Sequence, residues 1–479
     1  MTPNFTMNLG LRYELHTPWC EVHGRQDNFG LISGAIEYPG QNGNNCALYN
    51  QYNGITNYQP RVGLAWNVMR NTVVRAAYTL SNYLEGTGTN LRLAINPPFA
   101  HETFADYTKS QYSSSSLPPT TLDQGLVPLA ANPGNPFVGA GLRLWDPGIR
   151  PAVANQWNLT VQQQFGNSMT LQVGYVGQRT THLMVPMPYF QSQLISPGVV
   201  APTIYLSGNP TLQSEITQIS GTASNGDQSY NALQAVFQKR LSKGLEYNVA
   251  YTYSKCMTNS SGYYGSWGGG AVPTSPYFQN LYDMKAEWGP CYYDAAHTLS
   301  SYVTYDLPFG RDRQFGRDMN PVVNAILGDW QVNAIVLLHT GFPLTISASD
   351  DTGTGSRGAR ANCLSPVQYY HEQNSSLGGY QWFNPADFGP ETGGLFGTCG
   401  VATVRGPGLA TMDASLAKFF NFTERYNLEF RAEATNLTNT PILNAPNAGL
   451  GSTLGLLQSA GGANGVFDRQ IQLALKFHF

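Results

Sequence analysis

The chain has 479 residues, of which 11% are charged, whereas soluble domains carry roughly 25% charged residues. Aromatic residues make up 12%, glycine is abundant with 51 residues, and the mean hydropathy is −0.26, so the chain is polar without being charged. The net charge of −3 provides no basic field, which argues against nucleic acid as a partner. The longest apolar run of the most apolar segment is Ala334 to Leu338, far below the ~18 residues of a membrane-spanning helix.

Alternation of apolar and polar residues first appears at Asn4 to Glu14. A period of two residues is that of a β-strand with one apolar face and one polar face. The apolar positions of this segment are Phe5, Met7, Leu9, Leu11 and Tyr13. The same alternation returns in about eleven more segments, each near the ~9–11 residues with which a tilted strand crosses a bilayer.

Tight turns and long connections alternate between these predicted strands. The tight turns fall at 69–72, 166–168, 241–244 and 423–425, and a longer link on the same side, 310–328, is predicted to hold a short helix at about Val322 to Leu327. The long connections are predicted at about 16–59, 81–154, 179–228, 255–296, 347–410 and 440–466. Soluble sandwiches have short turns at both ends, whereas outer-membrane barrels have them on one side only. We therefore predict one all-β domain over 1–479, a transmembrane antiparallel β-barrel with about twelve strands.

The last predicted strand ends the chain at Phe479. Its apolar positions are Ile471, Leu473, Leu475, Phe477 and Phe479. The residues Gln472, Ala474, Phe477 and Phe479 resemble the C-terminal insertion signal of bacterial outer-membrane barrels, with alanine where that signal usually has glycine. A strand of a soluble sandwich shows the same alternation, so the loop asymmetry is needed to favour the membrane interpretation.

Strand parity predicts the orientation of the barrel. If Phe479 ends in the periplasm, all long connections face the cell exterior. Basic residues at the tight turns then lie near the inner membrane boundary: Arg70, Lys239, Arg240, Lys243 and Arg425. These residues are equally typical of ordinary solvated turns, so they do not establish the orientation alone.

Several segments resemble one family when they are taken together. They are NLGLRYE (8–14), QPRVGLAWN (59–67), NQWNLTVQQQFGNSMTLQVGYVGQRTTHL (155–183), YNALQAVFQKRLSKGLEYNVAYTYSK (230–255), DAAHTLSSYVTYDLPFGRDRQF (294–315), GDWQVNAIVLLHTGFPLTI (328–346) and RAEATNLTNTPILNAPN (431–447). They resemble the barrel of TonB-dependent outer-membrane receptors, especially the Oar-like branch. The resemblance covers nearly the whole chain.

This resemblance implies a barrel of about 22 strands that holds an N-terminal plug, with a periplasmic segment that binds TonB. The plug, the TonB-binding segment and a signal peptide do not occur in this sequence, in which a strand pattern begins directly after Met1. We therefore expect the chain to be the C-terminal part of such a barrel, from a fragment or a misplaced start. The implied partners are outer-membrane lipid, the barrel-assembly machinery, the plug domain and TonB, with an unspecified substrate.

No motif of enzyme chemistry is present: HExxH, GxSxG and P-loop patterns do not occur, so we predict neither an enzyme nor a cofactor. The segment Asp350-Asp351-Thr-Gly-Thr-Gly is similar to a calcium turn, but its spacing favours a plain turn. The cysteines lack a CxxC pattern, so we predict no zinc site either.

The six cysteines fall in pairs within three outer connections, where an oxidising environment allows disulfides. The predicted pairs are Cys20–Cys46, Cys256–Cys291 and Cys363–Cys399. Each bridge closes a long connection and stabilises it by roughly 3–4 kcal/mol in the chain-entropy model. We expect these connections to be polar and to lack a core of their own, so that the bridges hold their shape.

Polar residues of the strands are predicted to line the barrel interior. They include Arg12, Glu14, Gln156, Asn158, Gln162, Gln172, Glu246, Asn248, Gln331, Asn333, Glu429, Arg431 and Glu433. They can bind a ligand, but contact with a plug or with water is the favoured interpretation.

Aromatic residues of the connections can stack on a sugar or peptide or pack the connections together: Tyr263, Tyr264, Trp267, Trp288, Tyr369, Tyr370 and Trp382. The leading function is an importing receptor barrel, and the alternatives are a surface structural or adhesive barrel and a passive small channel.

Overall fold

One large antiparallel sheet dominates the computed structural model, which describes residues 4–84, 91–99, 135–260, 277–311, 313–422, 425–457 and 468–479. Among the described residues the sheet has fourteen strands: two short ones, Gly141–Trp145 and Gly289–Pro290, lie off its main path, and twelve form that path in chain order. They are β1 (Phe5–Tyr13), β2 (Tyr58–Met69), β3 (Thr72–Tyr83), β4 (Ala152–Phe165), β5 (Met169–Pro188), β6 (Gln218–Ser242), β7 (Leu245–Thr258), β8 (His297–Asp306), β9 (Trp330–His339), β10 (Leu409–Asn421), β11 (Asn427–Thr435) and β12 (Gln470–His478). Each strand pairs with the next strand along the chain, which confirms the predicted antiparallel order.

Short links join the strands on one side of the sheet, as the alternation predicts. They cover 70–71, 166–168, 243–244, 307–329 and 422–426, and two residues of the last link, 423–424, lie outside the described residues. The longer link 307–329 contains the helix α1 (Pro321–Leu327), which confirms the predicted helix. On the other side, the six long links cover 14–57, 84–151, 189–217, 259–296, 340–408 and 436–469; we call them the loop layer.

The third long link is shorter than the predicted span of about 179–228, because two strands continue beyond the usual membrane-crossing length. β5 has 20 residues and β6 has 25, compared with the ~9–11 that a bilayer requires. The first residues of β6 also pair in parallel with a short strand of the loop layer, Gly141–Trp145. The sheet therefore extends into the loop layer.

Within the described part of the chain, each of the two end strands of the sheet pairs on one side. β1 pairs with β2, and β12 pairs with β11. Among the described residues no ladder joins β1 to β12, as the sequence predicts for an incomplete barrel sheet. A free edge leaves a row of unpaired backbone N–H and C=O groups.

The loop layer has apolar cores of its own, so the prediction of coreless loops is wrong. One core joins four long links to the extended parts of β5 and β6, and it includes Phe29, Leu142, Leu206, Phe278, Val185 and Ile219. A second core joins the fifth and sixth links, and it includes Ile346, Phe383, Ala448 and Leu454. A third lies around Trp145 and Tyr49. Burial of these side chains stabilises the layer by about 1.5–3 kcal/mol for each large residue.

None of the helices in the described part of the chain is long and apolar enough to cross a membrane.

Candidate functional site: the polar face and the loop layer

The strand register brings the predicted interior residues onto one face of the sheet. Asn333 of β9 lies between Thr304 of β8 and Ser415 of β10, and Ser415 in turn lies opposite Glu433 of β11. Twelve of the thirteen predicted interior residues occupy this face, because successive residues of a strand point to opposite sides. The thirteenth, Glu14, directly follows β1 in the first long link. The opposite face carries the apolar positions, for example Leu473 opposite Ala432. In an outer-membrane barrel the polar face is the interior.

Fixed charges lie on the polar face of β11. The Arg431 guanidinium donates from Nε to Glu429 at 2.7 Å and from Nη1 to Glu433 at 3.0 Å. The Glu429 carboxylate is buried, and His478 Nε2 of β12 lies 3.6 Å from its other oxygen. Two carboxylates therefore hold one guanidinium in position, and the three charged groups lie together on the polar face of the sheet.

A second polar cluster lies where β1, β2 and β3 meet the loop layer. Gln59 is fully buried, and its amide donates to Glu14 at 3.0 Å and also to Asn82. Arg12 donates to Glu14 at 2.8 Å. Sequence reasoning missed Gln59 and Asn82, because an amide near a strand end has no periodic signature.

Two cysteine pairs, Cys20–Cys46 and Cys363–Cys399, are each joined within one long link of the loop layer, whereas the third joins Cys256, near the end of β7, to Cys291 of the fourth long link. The Cα atoms are 5.2 Å apart for Cys20–Cys46, 5.3 Å for Cys256–Cys291 and 4.9 Å for Cys363–Cys399. These distances lie within the ~4.4–6.8 Å typical of disulfides.

A buried hydrogen-bonded network joins the third, fourth and fifth long links. The Gln191 amide donates to the Gln279 carbonyl at 2.7 Å, and the Gln279 side-chain oxygen accepts the Arg360 backbone N–H at 2.9 Å. Arg360 Nη1 lies 2.6 Å from the Glu287 carboxylate, and Nε donates to the Cys399 carbonyl at 2.9 Å. Burial raises the pKa of Glu287, against the opposing effect of the Arg360 charge.

A second ion pair connects the fourth and fifth links. Arg405 Nη2 lies 2.6 Å from Asp294, whose other oxygen accepts the backbone N–H of Cys256 at 2.8 Å. Arg405 Nη1 also donates to the carbonyl of Gly341 at 3.0 Å. The arginine therefore ties the Cys256–Cys291 disulfide to the neighbouring link.

The predicted loop aromatics divide into packed and exposed residues. Trp382 packs edge-on against His371 with ring centroids 4.0 Å apart, and its indole N–H donates to the Arg405 carbonyl. Trp288 lies beneath the Arg179 guanidinium but is exposed on its other side, and Tyr369 and Tyr370 are exposed as well. Tyr263, Tyr264 and Trp267 lie outside the described residues. Trp288, Tyr369 and Tyr370 are therefore the described members of this set whose rings are accessible to a ligand.

The Asp350 segment has the geometry of a turn. Its carboxylate accepts the backbone N–H groups of Thr352 at 3.0 Å, Gly355 at 2.8 Å and Ser356 at 3.0 Å. Backbone donors therefore occupy both carboxylate oxygens, as in other turns that begin with aspartate.

Asp27 in the first long link is a buried acid that sequence reasoning missed. Its side chain is 0% exposed, and among the described residues neither carboxylate oxygen has a hydrogen-bond partner. Burial raises the pKa of Asp27 to about 7, because desolvation disfavours the charged form.

Two lysines lie on the apolar face close to the short links. Lys418 is opposite Trp330 and Phe430, and its Nζ donates to the Gly328 carbonyl. Lys239 Nζ donates to the Ser242 carbonyl at 2.7 Å. Both ammonium groups thus turn towards backbone carbonyls at the short-link end, as lysines do at a membrane boundary. Sequence reasoning placed Lys239 at a turn and missed Lys418.

The proposed insertion-signal residues lie in β12 or directly after it. Gln472 is opposite Glu433, Ala474 opposite Arg431 and Phe477 opposite Leu428. The Phe477 ring stacks on Phe479 with centroids 6.3 Å apart. The two rings form an aromatic group at the short-link end of the apolar face, where outer-membrane barrels carry an aromatic girdle.

Comparisons with known proteins place this geometry in a family. Residues 1–472 match the family described as outer membrane beta barrel domain. No curated protein sequence matches the chain.

Among solved structures, the chain is similar to the outer membrane transporter YddB from Escherichia coli, at 10% identity and a TM-score of 0.45 over 89% of this chain and 40% of that one. It is similar to FpvA of P. aeruginosa bound to heterologous pyoverdines, at 9% identity and a TM-score of 0.44 over 100% and 37%. It is also similar to the siderophore receptor PiuA from Acinetobacter baumannii, at 10% identity and a TM-score of 0.43 over 100% and 41%.

The chain spans about two fifths of the length of these three proteins, since it covers 40%, 37% and 41% of them. The family match extends over almost the whole chain and agrees with the two-faced, sequentially ordered sheet. The chain belongs to the family of outer membrane beta barrel domains and is an antiparallel transmembrane β-barrel protein of the bacterial outer membrane.

Proposed function

We propose that the chain is the C-terminal barrel portion of a TonB-dependent receptor of the Oar-like branch, which imports a ligand across the outer membrane. The observation that carries this proposal is the pair of free strand edges, β1 and β12. Within a bilayer every backbone N–H and C=O group needs a partner. Further strands of a larger barrel supply those partners, whereas a closed twelve-strand channel needs a ladder between β1 and β12.

The two sides of the sheet have different roles in such a receptor. The loop layer faces the cell exterior and receives the ligand, and its cross-linked cores keep the entrance in shape. The short links face the periplasm. The polar face, with the charges of Arg431, Glu429 and Glu433, contacts a plug domain, which TonB remodels so that the ligand passes inward. The barrel-assembly machinery recognises β12 and inserts the barrel into lipid.

Two adjacent residues of β12 provide a direct test, because Gln472 lies on the polar face and Leu473 on the apolar face. A photo-reactive amino acid is placed at either position in the gene with its native upstream sequence, expressed in a bacterial outer membrane. We expect the probe at Gln472 to capture a plug segment and the probe at Leu473 to capture lipid.

The alternatives give different results in this experiment. A Gln472 probe that captures no polypeptide indicates a water-filled interior and supports the passive channel. A plug adduct without binding of the TonB C-terminal domain to the purified protein supports a surface structural or adhesive barrel. Either result would overturn the proposed import function. If the Gln472 probe captured lipid and the Leu473 probe captured a polypeptide, the two faces of the sheet would be assigned wrongly.

A further inference from the structure

The link 307–329 turns the apolar side of its helix away from the protein. In α1, Val322, Val323, Ile326 and Leu327 are all exposed, and Ile326 retains 63% of its accessible surface. Val322 and Ile326, and likewise Val323 and Leu327, are four residues apart, so the four side chains share one face of the helix. A helix in water normally directs its apolar face towards the core of its protein.

The polar side of α1 faces the rest of the link. The Asn324 side chain accepts the backbone N–H of Arg311 at 2.6 Å. The Asn324 carbonyl accepts the N–H of Gly328 at 2.8 Å. The Asn324 side chain therefore ties the helix to the rest of the link, while the apolar side chains of the helix stay exposed.

The position of α1 relative to the membrane follows from two neighbouring side chains of the apolar face. Trp330, the first residue of β9, donates its indole N–H to the Ile326 carbonyl at 2.8 Å. Lys418 directs its ammonium group from the same face to the carbonyl of Gly328, one residue after the helix. Tryptophan and lysine at the end of an apolar belt mark the boundary between hydrocarbon and headgroups. The apolar face of α1 is thus continuous with the lipid-facing surface of β9 and β10.

The remainder of the link adds exposed aromatic and basic groups. Phe309 and Phe315 are both exposed, and their ring centroids are 5.6 Å apart. Arg311 and Arg317 are exposed in the same link. An apolar helix face flanked by aromatic and basic side chains is the composition of segments that lie in a membrane interface.

We propose that the link 307–329 is an interfacial anchor for phospholipid. On the short-link side of the bilayer, the apolar face of α1 lies among the acyl segments next to the headgroups. Arg311 and Arg317 contact the lipid phosphates. The anchor fixes the depth and tilt of β8 and β9 in the membrane. The anchor depends on the barrel's position in a bilayer and not on an imported ligand. The proposal can therefore be tested independently of the receptor function.

The test compares Ile326 with an apolar residue of similar exposure in the loop layer. Val199 retains 54% of its accessible surface and lies in the third long link. A photo-reactive amino acid replaces either residue in the full protein, in bacterial outer membranes, and phospholipid adducts are counted by mass spectrometry. We expect at least about tenfold more phospholipid adduct at Ile326 than at Val199, since an interfacial helix buries its apolar face at the headgroup–acyl boundary.

A second probe position protects the test against a single disruptive substitution. Val322 lies on the same face of α1, so it gives the same adduct if the helix is an anchor. Equal yields at Ile326 and Val199 would overturn the proposal. Protein adducts in place of lipid at Ile326 and Val322 would assign the face to a periplasmic partner and overturn it as well.

Discussion

The Arg360 guanidinium lies 2.6 Å from the Glu287 carboxylate, and the two side chains are only 5% and 6% exposed. Arg360 belongs to the fifth long link and Glu287 to the fourth, so this buried ion pair joins two links whose described residues share no strand ladder. With Gln191 and Gln279 beside it, the pair connects the third, fourth and fifth long links of the loop layer.

Glu287→Gln removes the negative charge from this pair and leaves the Arg360 guanidinium buried without its partner. Loss of one member of a buried ion pair typically costs ~3–5 kcal/mol. We expect faster hydrogen exchange and faster proteolysis in links 259–296 and 340–408, with the strands unaffected. Asp227→Asn, at the exposed pair with Arg179, is the matched control and should cost less than ~1 kcal/mol. Equal effects of the two variants would contradict a special role for the buried pair.

Asp27 predicts a pH dependence of the first long link. Because burial raises the pKa of Asp27 from 3.8 to about 7, the folded link favours the protonated acid. Its stability is therefore greatest at low pH and falls as the pH rises from 3.8 to about 7. We expect the link in the Asp27→Asn variant to exchange more slowly than the native link at pH values above this window and equally below it. Hydrogen exchange of 14–57 measures this, and weaker protection of the variant than of the native link at high pH would refute the argument.

A substitution by arginine should destabilise the barrel more on the apolar face of the sheet than on the polar face. Leu473→Arg and Val336→Arg place a guanidinium on the apolar face and should destabilise the barrel by roughly 2–4 kcal/mol, whereas Gln472→Arg and Asn333→Arg, on the polar face, should cost much less. Unfolding titrations of the full-length protein in a bilayer measure the difference. The assignment of the faces would fail if neighbouring substitutions had the same effect.

The disulfides should connect the same cysteines in the membrane: Cys20–Cys46 and Cys363–Cys399 within one long link each, and Cys256 at the end of β7 with Cys291 of the fourth long link. The sequence separations of 26, 35 and 36 residues correspond to roughly 3–4 kcal/mol of stabilisation each in the chain-entropy model. Non-reducing peptide mapping of protein from bacterial outer membranes should recover only Cys20–Cys46, Cys256–Cys291 and Cys363–Cys399. Peptides joined between different links would disprove this connectivity.

The strand order, the short links, α1 and the division into two faces could be predicted from the sequence, because each depends on local information. Alternation with a period of two residues identifies a strand and its faces, and turn residues identify the tight links. The segment from Ile471 to Phe479 illustrates this, since the apolar positions from Ile471 to Phe477 that the alternation assigns to one face lie there in the register.

The loop layer was decided by tertiary structure. Gln191 and Arg360 meet through Gln279 although they are far apart in the sequence, and Asp27 and Gln59 are buried without any periodic pattern around them. Such contacts depend on how six long links pack over one another, which no local period encodes. The extension of β5 and β6 also depends on tertiary contacts, because the residues of these strands within the loop layer are stabilised by cores of links that are distant in sequence.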